Sequence, residues 1–178
     1  MKVLLVNGSS HTHGTTMRAL EEMIRVFEAE GVETEVIQTG SKPLADCLQC
    51  NACAKSGQCV FADDGVNEFV EKAREADGFV FATPVYYYSV SGQLKTMLDR
   101  ANPLYDTDYA FTKAYLLAAA AEDEPETVDG TRTAVQGWVD CFPRCELVDT
   151  IFAGGVNDVG DIAGHPALEK AYQAGKSV

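Results

Sequence analysis

Four of the six cysteines in this chain stand close together, and their spacing is suited to metal or redox chemistry. Cys47, Cys50, Cys53 and Cys59 follow the pattern C-x2-C-x2-C-x5-C within "CLQCNACAKSGQC" (47–59). Four thiolates at this spacing could ligate an iron-sulfur cluster or a tetrahedral zinc ion, and they could also stay free beside a redox cofactor. In a reducing cytosol, clustered cysteines favour these uses over disulfides. This segment alone does not decide between a cluster, a zinc ion and free thiols.

A second candidate site is the hydroxyl-rich segment "NGSSHTHGTT" (7–16), which follows the first predicted strand and opens the first predicted helix. Hydroxyls and free amides at a helix N-terminus bind a phosphate monoester without any lysine. Gly8 and Gly14 allow close turns, but the spacing is neither G-x-G-x-x-G nor the Walker pattern. A single terminal phosphate is the better candidate ligand, and an ordinary helix cap is the alternative.

A third candidate is "TPVYYYSVSGQLKTMLDR" (83–100), where three consecutive tyrosines follow a strand that ends near Pro84. Aromatic side chains and backbone amides along such a turn can lie beside a flat heteroaromatic ring and donate to its edge. A tyrosine-rich surface turn is the alternative. A helix is predicted to begin near Ser91.

Five strand-helix units must position these segments. Nearly continuous apolar strands suit a parallel sheet covered on both faces, so the sequence predicts an α/β, doubly wound, five-stranded parallel sheet of order 2-1-3-4-5 with helices on both faces. Ligands then bind beyond the carboxyl ends of the strands, in the loops after strands one, three and four. The predicted strands are 2–6, 34–39, 78–83, 114–121 and 146–154, and the last helix lies within 166–176.

Composition limits the class of protein. The chain has 178 residues, 46% of them hydrophobic, which suits a single domain over 1–178. Its formal net charge of −13 disfavours nucleic acid or an anionic membrane surface as partner. Met1 leads directly into "KVLLVNGSS", whose short apolar run predicts neither a signal peptide nor a membrane span. We therefore expect a cytoplasmic protein.

The tyrosine segment resembles the Pro-Val-Tyr-x-x-Ser-Val-Ser-x-Gln-Leu-Lys-x-x-x-Asp-Arg segment of the flavodoxin-like NAD(P)H-dependent FMN reductases. The likeness extends to the first loop, whose family form is Gly-Ser-Pro-Arg-x-x-Gly-x-Thr, and to the ending "GGVNDVGDIAGHPALEKAYQAGK" (154–176). It covers nearly the whole chain and implies a flavodoxin-like fold that binds FMN. Ser10 and His11 stand where proline and arginine are usual, so one phosphate donor differs.

The resemblance implies the FMN-binding residues one by one. The residues implied for the FMN phosphate are Ser9, His11, Thr12, Gly14, Thr15 and Thr16. Those implied for the isoalloxazine edge are Pro84, Val85, Tyr86, Tyr87, Tyr88 and Ser89, with Ser91 and Lys95 as secondary candidates. The segment after strand four has small residues that could lie along the ring, namely Ala119, Ala120 and Ala121. No catalytic acid or base is required, because the flavin carries the hydride chemistry.

The cysteine spacing resembles the compact motif of the iron-sulfur flavoproteins, a branch of this family in which four thiolates hold a four-iron four-sulfur cluster. The resemblance implies that Cys47, Cys50, Cys53 and Cys59 are the ligands, on the same sheet edge as the flavin. The spacing differs from the bacterial ferredoxin run, whose last gap is three residues. Zinc and metal-free thiols remain alternatives. Two further cysteines, at 141 and 145, are interpreted as packing residues.

We therefore predict an FMN-dependent enzyme that takes hydride from NADH or NADPH and passes electrons to a small-molecule or protein acceptor, through the cluster if one is bound. The alternatives are a non-enzymatic electron carrier like flavodoxin and a redox or metal sensor built on the cysteine loop. A homodimer or homotetramer is expected, because the tyrosines leave a broad aromatic rim that monomers seldom expose.

Overall fold

A computed structural model describes residues 1–39, 42–105 and 107–177. Its sheet consists of β1 (Lys2–Asn7), β2 (Glu33–Gln38), β3 (Gly78–Pro84), β4 (Lys113–Ala119) and β5 (Glu146–Ala153). The spatial order is β2-β1-β3-β4-β5, and every neighbouring pair is parallel. This is the doubly wound, flavodoxin-like order, so the predicted fold class is confirmed.

Helices connect the strands and cover both faces of the sheet. They are α1 (Thr15–Ala29), α2 (Cys53–Ser56), α3 (Val66–Glu75), α4 (Gly92–Arg100), α5 (Asp129–Val139) and α6 (Pro166–Gly175). Three 3-10 helices occupy Asn102–Leu104, Pro125–Val128 and Val159–Ile162. The sequence did not predict α2 or the 3-10 helices, because segments of three or four residues are too short to show a helical period.

The core has two halves, one on each face of the sheet. Successive residues of a strand point to opposite faces, so Leu4 and Val6 pack on one side while Val3 and Leu5 pack on the other. The second side is covered by α1 and α6. The first contains a cluster of aromatic rings in mutual contact, made of Phe79, Phe81, Phe111, Trp138 and Phe142.

The strands differ in burial according to their place in the sheet. β1, β3 and β4 are central and almost wholly buried, whereas the edge strands β2 and β5 are partly exposed. The fourth strand is shorter than the predicted 114–121, since β4 ends at Ala119. Ala120 leaves the strand to accept the N–H of Val156 at 2.8 Å, in the loop after β5. Among the described residues, no helix is both long and apolar enough to cross a bilayer.

Candidate functional site

The loops at the carboxyl ends of four strands enclose a cavity of about 490 Å³, here called the strand-end cavity. A volume of this order is typical of small-molecule and cofactor sites. The loops after β1, β3, β4 and β5 all contribute to its wall. The lining residues are Ser9, His11, Gly14, Thr15, Pro84, Val85, Tyr86, Ala119, Ala120, Ala121, Val156, Asn157, Asp158 and Val159.

Asn7, the last residue of β1, fixes the shape of the first loop. Its Oδ1 accepts the N–H of Ser9 at 3.2 Å and the hydroxyl of Thr16 at 3.0 Å. Its Nδ2 donates to Oε1 of Gln38 at 2.8 Å, and Gln38 in turn donates to the carbonyl of Ser9. Sequence reasoning missed both amides, although a polar residue ending an otherwise apolar buried strand was a usable signal.

The N-terminus of α1 provides an anion site. No described side chain caps Gly14, the residue before the helix, and the first turn carries no acidic residue. The first amides of a helix have no intrahelical acceptor and attract an anion. The Ser9 hydroxyl accepts the N–H of His11 at 3.1 Å, which leaves its own hydrogen to donate. This donor set fits a phosphate monoester.

The six residues proposed for the phosphate divide into three groups. Ser9, His11, Gly14 and Thr15 line the strand-end cavity together. Thr16 is buried with its hydroxyl bonded to Asn7, so it supports the loop from behind. The remaining residue, at position 12, is exposed and outside the cavity lining.

The chain after β3 makes a strained turn beside this cavity. Tyr86 and Ser89 exchange two backbone hydrogen bonds, of 2.9 and 3.1 Å. Between them, Tyr87 and Tyr88 have φ of 48° and 61°. Two successive positive φ angles define a type I′ turn, which usually contains glycine or asparagine. Each such residue with a side chain costs on the order of 1–3 kcal/mol, and this strain lies at the mouth of the candidate site.

Contacts from two other elements stabilise the turn. A Cβ at Gly130, in the first turn of α5, would lie only 2.1 Å from the carbonyl oxygen of Tyr88. The helix can therefore pack on the turn only because this residue is glycine. The Tyr88 hydroxyl bonds the carboxylate of Glu122, which raises the pKa of Tyr88. Tyr87 and Tyr88 line a smaller neighbouring cavity of about 200 Å³ with Ala120, Ala121, Glu122 and others.

The residues proposed for the isoalloxazine edge are divided between two cavities. Pro84, Val85 and Tyr86 line the strand-end cavity, as do Ala119, Ala120 and Ala121 of the next loop. Tyr87 and Tyr88 face the smaller cavity, which Val85 also touches.

The two secondary candidates lie away from the cavity. Ser91 is buried and caps α4: its hydroxyl accepts the N–H of Leu94 at 3.3 Å and donates to the carbonyl of Gly8 at 2.6 Å. It thereby ties the start of α4 to the first loop. Lys95 lies on the surface and pairs with Asp99 at 2.5 Å.

The loop after β5 also lines the strand-end cavity, through Val156 to Val159, and sequence reasoning did not include it. The amides of Asn157 and Asp158 both donate to Oδ2 of Asp161, at 3.0 and 2.9 Å. These backbone hydrogen bonds lower the pKa of Asp161, and the one from Asp158 has the larger effect. The Asp-x-x-Asp spacing at 158–161 was a capping-box signal in the sequence.

The four clustered cysteines line a second cavity, of about 520 Å³, here called the cysteine cavity. Each cysteine is a free thiol. Among the described residues, no three His, Cys, Asp or Glu side chains converge on the position of a single metal ion. The four residues instead occupy different parts of the cavity lining. The lining residues are Asp46, Cys47, Leu48, Gln49, Cys50, Asn51, Cys53, Cys59, Val60, Phe61, Asp99, Arg100 and Asn102.

A buried arginine anchors the cysteine loop. Arg100 is 1% exposed and makes a bidentate pair with both carboxylate oxygens of Asp64, one of them at 3.0 Å. Burial lowers the pKa of Arg100, but its hydrogen bonds to Asp64 and Cys59 and the charge interactions with the same two groups together outweigh burial and raise it. Burial raises the pKa of Asp64, but the hydrogen bond and charge of Arg100, together with the backbone N–H of Val66, outweigh burial and lower it. The pair is therefore charged, and it holds 59–64 against α4.

The position of the cysteine loop differs from the expectation of a shared sheet edge. The loop runs along α4: Leu44 donates to Gln93 at 2.8 Å, and the carbonyl of Ala45 accepts from Arg100 at 3.1 Å. The cysteine cavity thus lies by the last turn of α4, whereas the strand-end cavity lies near its start. Nine helical residues span about 13 Å, and among the described residues the two cavities share no lining residue.

The last two cysteines lie elsewhere. Cys145 packs against the aromatic half of the core, and burial raises its pKa to about 12. Cys141 is exposed, with its sulfur 3.4 Å from the carbonyl oxygen of Gly137. Neither lines the cysteine cavity, and both positions match the interpretation as packing residues.

The fold and the strand-end cavity define a flavodoxin-like α/β protein, and known structures of that class superimpose on this one. An NAD(P)H:quinone oxidoreductase from Methanothermobacter marburgensis matches with a TM-score of 0.73 and 19% identity, over 99% of this chain and 95% of that one. An FMN-dependent NADH-azoreductase from Bacillus anthracis, solved with FMN, matches with a TM-score of 0.69 and 14% identity, over 99% of each chain. At these identities the likeness shows the fold.

Comparison of sequences identifies the family, which the structural likeness alone does not. The profile of the NADPH-dependent FMN reductase family matches residues 1–136. An iron-sulfur flavoprotein of Methanosarcina thermophila is 32% identical over 157 residues, which are 88% of this chain and 82% of that protein. One of Methanocaldococcus jannaschii is 41% identical over 104 residues, 58% of this chain, and the match spans about half (53%) of that protein. The chain belongs to the NADPH-dependent FMN reductase family of oxidoreductases, in its iron-sulfur flavoprotein branch.

Proposed function

We propose that this chain is an FMN-dependent NAD(P)H oxidoreductase that passes electrons from a nicotinamide nucleotide to a small-molecule or protein acceptor. The main observation that supports this proposal is the strand-end cavity. One wall of this cavity contains a helix N-terminus that no described side chain caps, and another contains the Pro84–Tyr86 segment. When bound, FMN accepts a hydride from the nicotinamide and releases the electrons singly or as a pair.

The residues of the cavity have separate roles in this proposal. The Ser9 hydroxyl and the first amides of α1 hold the phosphate, and the amide pair Asn7 and Gln38 holds that loop in shape. The small side chains of 119–121 leave room for a flat ring along the end of β4. The protein thus supplies position and electrostatics, and no side chain has to transfer a proton.

We also propose that Cys47, Cys50, Cys53 and Cys59 hold a four-iron four-sulfur cluster. All four cysteines line one cavity of about 520 Å³, which has room for a cluster of this kind. The relatives named iron-sulfur flavoproteins favour the same proposal. A cluster would exchange single electrons with the flavin or the acceptor, and zinc or free thiols are the alternatives.

Binding and turnover test the flavin proposal. We expect purified protein to bind FMN more tightly than riboflavin, because riboflavin lacks the phosphate, and to oxidise NADH or NADPH when a quinone is added. Equal affinity for the two flavins would place the phosphate elsewhere. FMN binding without any NAD(P)H oxidation would favour the electron-carrier alternative.

Metal analysis tests the cluster proposal separately. Anaerobically reconstituted protein should contain about four irons and four sulfides per chain. Serine at any of the four clustered cysteines should reduce that content, whereas serine at Cys141 should leave it unchanged. Iron-free protein that still binds FMN and oxidises NAD(P)H would refute the cluster. Stoichiometric zinc would indicate the structural-ion alternative.

Assembly and location are also proposed. Tyr86, Tyr87 and Tyr88 are 52%, 102% and 56% exposed, an aromatic surface that supports a homodimer or homotetramer. A monomer at micromolar concentration in sedimentation would contradict this. Six free thiols support a cytoplasmic location, which cell fractionation tests.

A further inference from the structure

Two side-chain N–H groups at the end of α4 reach two of the four clustered sulfurs. Nε of Arg100 lies 3.4 Å from Sγ of Cys59. Nδ2 of Asn102, in the 3-10 helix that follows, lies 3.3 Å from Sγ of Cys53. Sulfur accepts hydrogen bonds at such distances, so each contact is a donor aimed at a sulfur.

The arginine contact is part of a complete set of hydrogen bonds. A guanidinium has five N–H donors. In Arg100, four of them bond the two Asp64 oxygens and the carbonyls of Ala45 and Phe61, and the fifth bonds Cys59. A thiol sulfur is a weak acceptor, while a metal-bound thiolate carries negative charge and accepts a charged donor well. The buried cation therefore suits a thiolate at Cys59 better than a thiol.

The backbone of Cys59 is held as firmly as its sulfur. Its N–H donates to Oδ1 of Asn67 at 2.7 Å, and its carbonyl accepts from Nδ2 of the same side chain at 2.9 Å. By contrast, Cys47 and Cys50 are exposed, and the described residues provide no hydrogen bond to either sulfur. The cysteine site therefore has a fixed half, Cys53 and Cys59, and an exposed half.

We propose that Arg100 and Asn102 are positioning residues of the cysteine site, which hold the sulfurs of Cys59 and Cys53 as ligands and raise the reduction potential of the bound cluster. The inference rests on the proposed cluster. Donors to ligand sulfurs stabilise the more negative, reduced state, and outer partners of this kind also strengthen metal binding.

The potential test uses matched asparagines on the wall of the cysteine cavity. Asn102→Asp and Asn51→Asp add the same charge, but of these two asparagines only Asn102 donates to a sulfur in the described residues. In reconstituted protein, followed by absorbance during a reductive titration, we expect N102D and N102A to lower the cluster potential and N51D to lower it less than N102D. Equal shifts in N102D and N51D, with none in N102A, would overturn the role of Asn102.

Metal retention tests the arginine. Arg100→Lys keeps the positive charge but loses the five-donor geometry, so we expect iron transfer to a chelator about tenfold faster than in the wild type. Arg132→Lys, on the exposed face of α5, is the control. An unchanged rate in R100K would overturn the role of Arg100. If R100K fails to fold, the asparagine series still decides whether a donor to a ligand sulfur raises the cluster potential. Wild-type protein without iron would refute the cluster proposal itself, which is a different outcome from unchanged variants.

Discussion

The strand-end cavity and the cysteine cavity are built in different ways. The first is made of loops at the ends of parallel strands, with backbone amides and small side chains in its wall. The second is made of side chains on a loop that is anchored by Arg100 and whose described residues contain one short helix, Cys53–Ser56. A cavity that the sheet topology creates is supported by the whole core, whereas one made by a loop depends on a few contacts.

This difference predicts how each region responds to substitution. Around the strand-end cavity, the sensitive positions are those where two backbones touch, because the main chain itself forms the wall. Around the cysteine cavity, the sensitive positions are the polar side chains that attach the loop to α4. The following substitutions test that contrast.

The largest effect is expected from Arg100→Gln. The substitution removes one partner of a buried ion pair, so we expect the free energy of unfolding to fall by about 3 kcal/mol. Urea unfolding of the FMN-saturated protein measures it. Arg132→Gln, whose pair with Asp129 is exposed, should change it by about 0.5 kcal/mol or less. Equal losses in the two variants would mean that Arg100 does not anchor the loop.

The next effect concerns the turn after β3, between Tyr86 and Ser89. Gly130→Ala places a Cβ 2.1 Å from the carbonyl oxygen of Tyr88, so we expect a loss of about 1–3 kcal/mol in unfolding free energy and weaker FMN binding. Gly137→Ala in the same helix meets no atom within 4 Å and should stabilise the protein by about 0.5–1 kcal/mol. If Gly130→Ala stabilised the protein as Gly137→Ala does, α5 would not pack on the turn.

A smaller effect is expected at the phosphate. Ser9→Ala removes a hydroxyl from the cavity wall and should weaken FMN by about 1.5 kcal/mol, the scale of one hydrogen bond to a charged group. Ser10→Ala, at the exposed neighbouring position outside the lining, should leave the affinity unchanged. Flavin fluorescence titration measures both. Since riboflavin lacks the phosphate, an equal loss of riboflavin affinity in S9A would contradict the assignment.

The smallest effect is expected in how the contribution of the Arg100–Asp64 pair to the free energy of unfolding depends on pH. Burial raises the pKa of Asp64, but the hydrogen bond and charge of Arg100, with the backbone N–H of Val66, hold it below its ordinary value. A lowered folded pKa contributes stability that is complete above about pH 4 and is lost as the pH falls through the folded pKa. The difference in unfolding free energy between wild type and Asp64→Asn should therefore shrink below about pH 4. A difference that stays constant from pH 7 to pH 3 would exclude this contribution.

Sequence reasoning succeeded where a local pattern has one physical solution. Apolar runs such as "KVLLV" alternate with helical periods, and such strands must be buried on both faces, which required a parallel sheet. The order of the sheet then brought the loops after β1, β3 and β4 together. It also brought the loop after β5, with Asn157 and Asp158, to the same cavity, because β5 lies beside β4.

The sequence by itself determined the fold, the position of the first loop at a helix N-terminus and the presence of four close thiols. Only the tertiary structure decided that Thr16 supports Asn7 behind the loop, and that the thiols lie by the last turn of α4. The physical reason is that both depend on contacts between residues far apart in the chain. Arg100 bonds Asp64, 36 positions away, and Cys59, 41 positions away, and no periodicity along the sequence encodes such pairs.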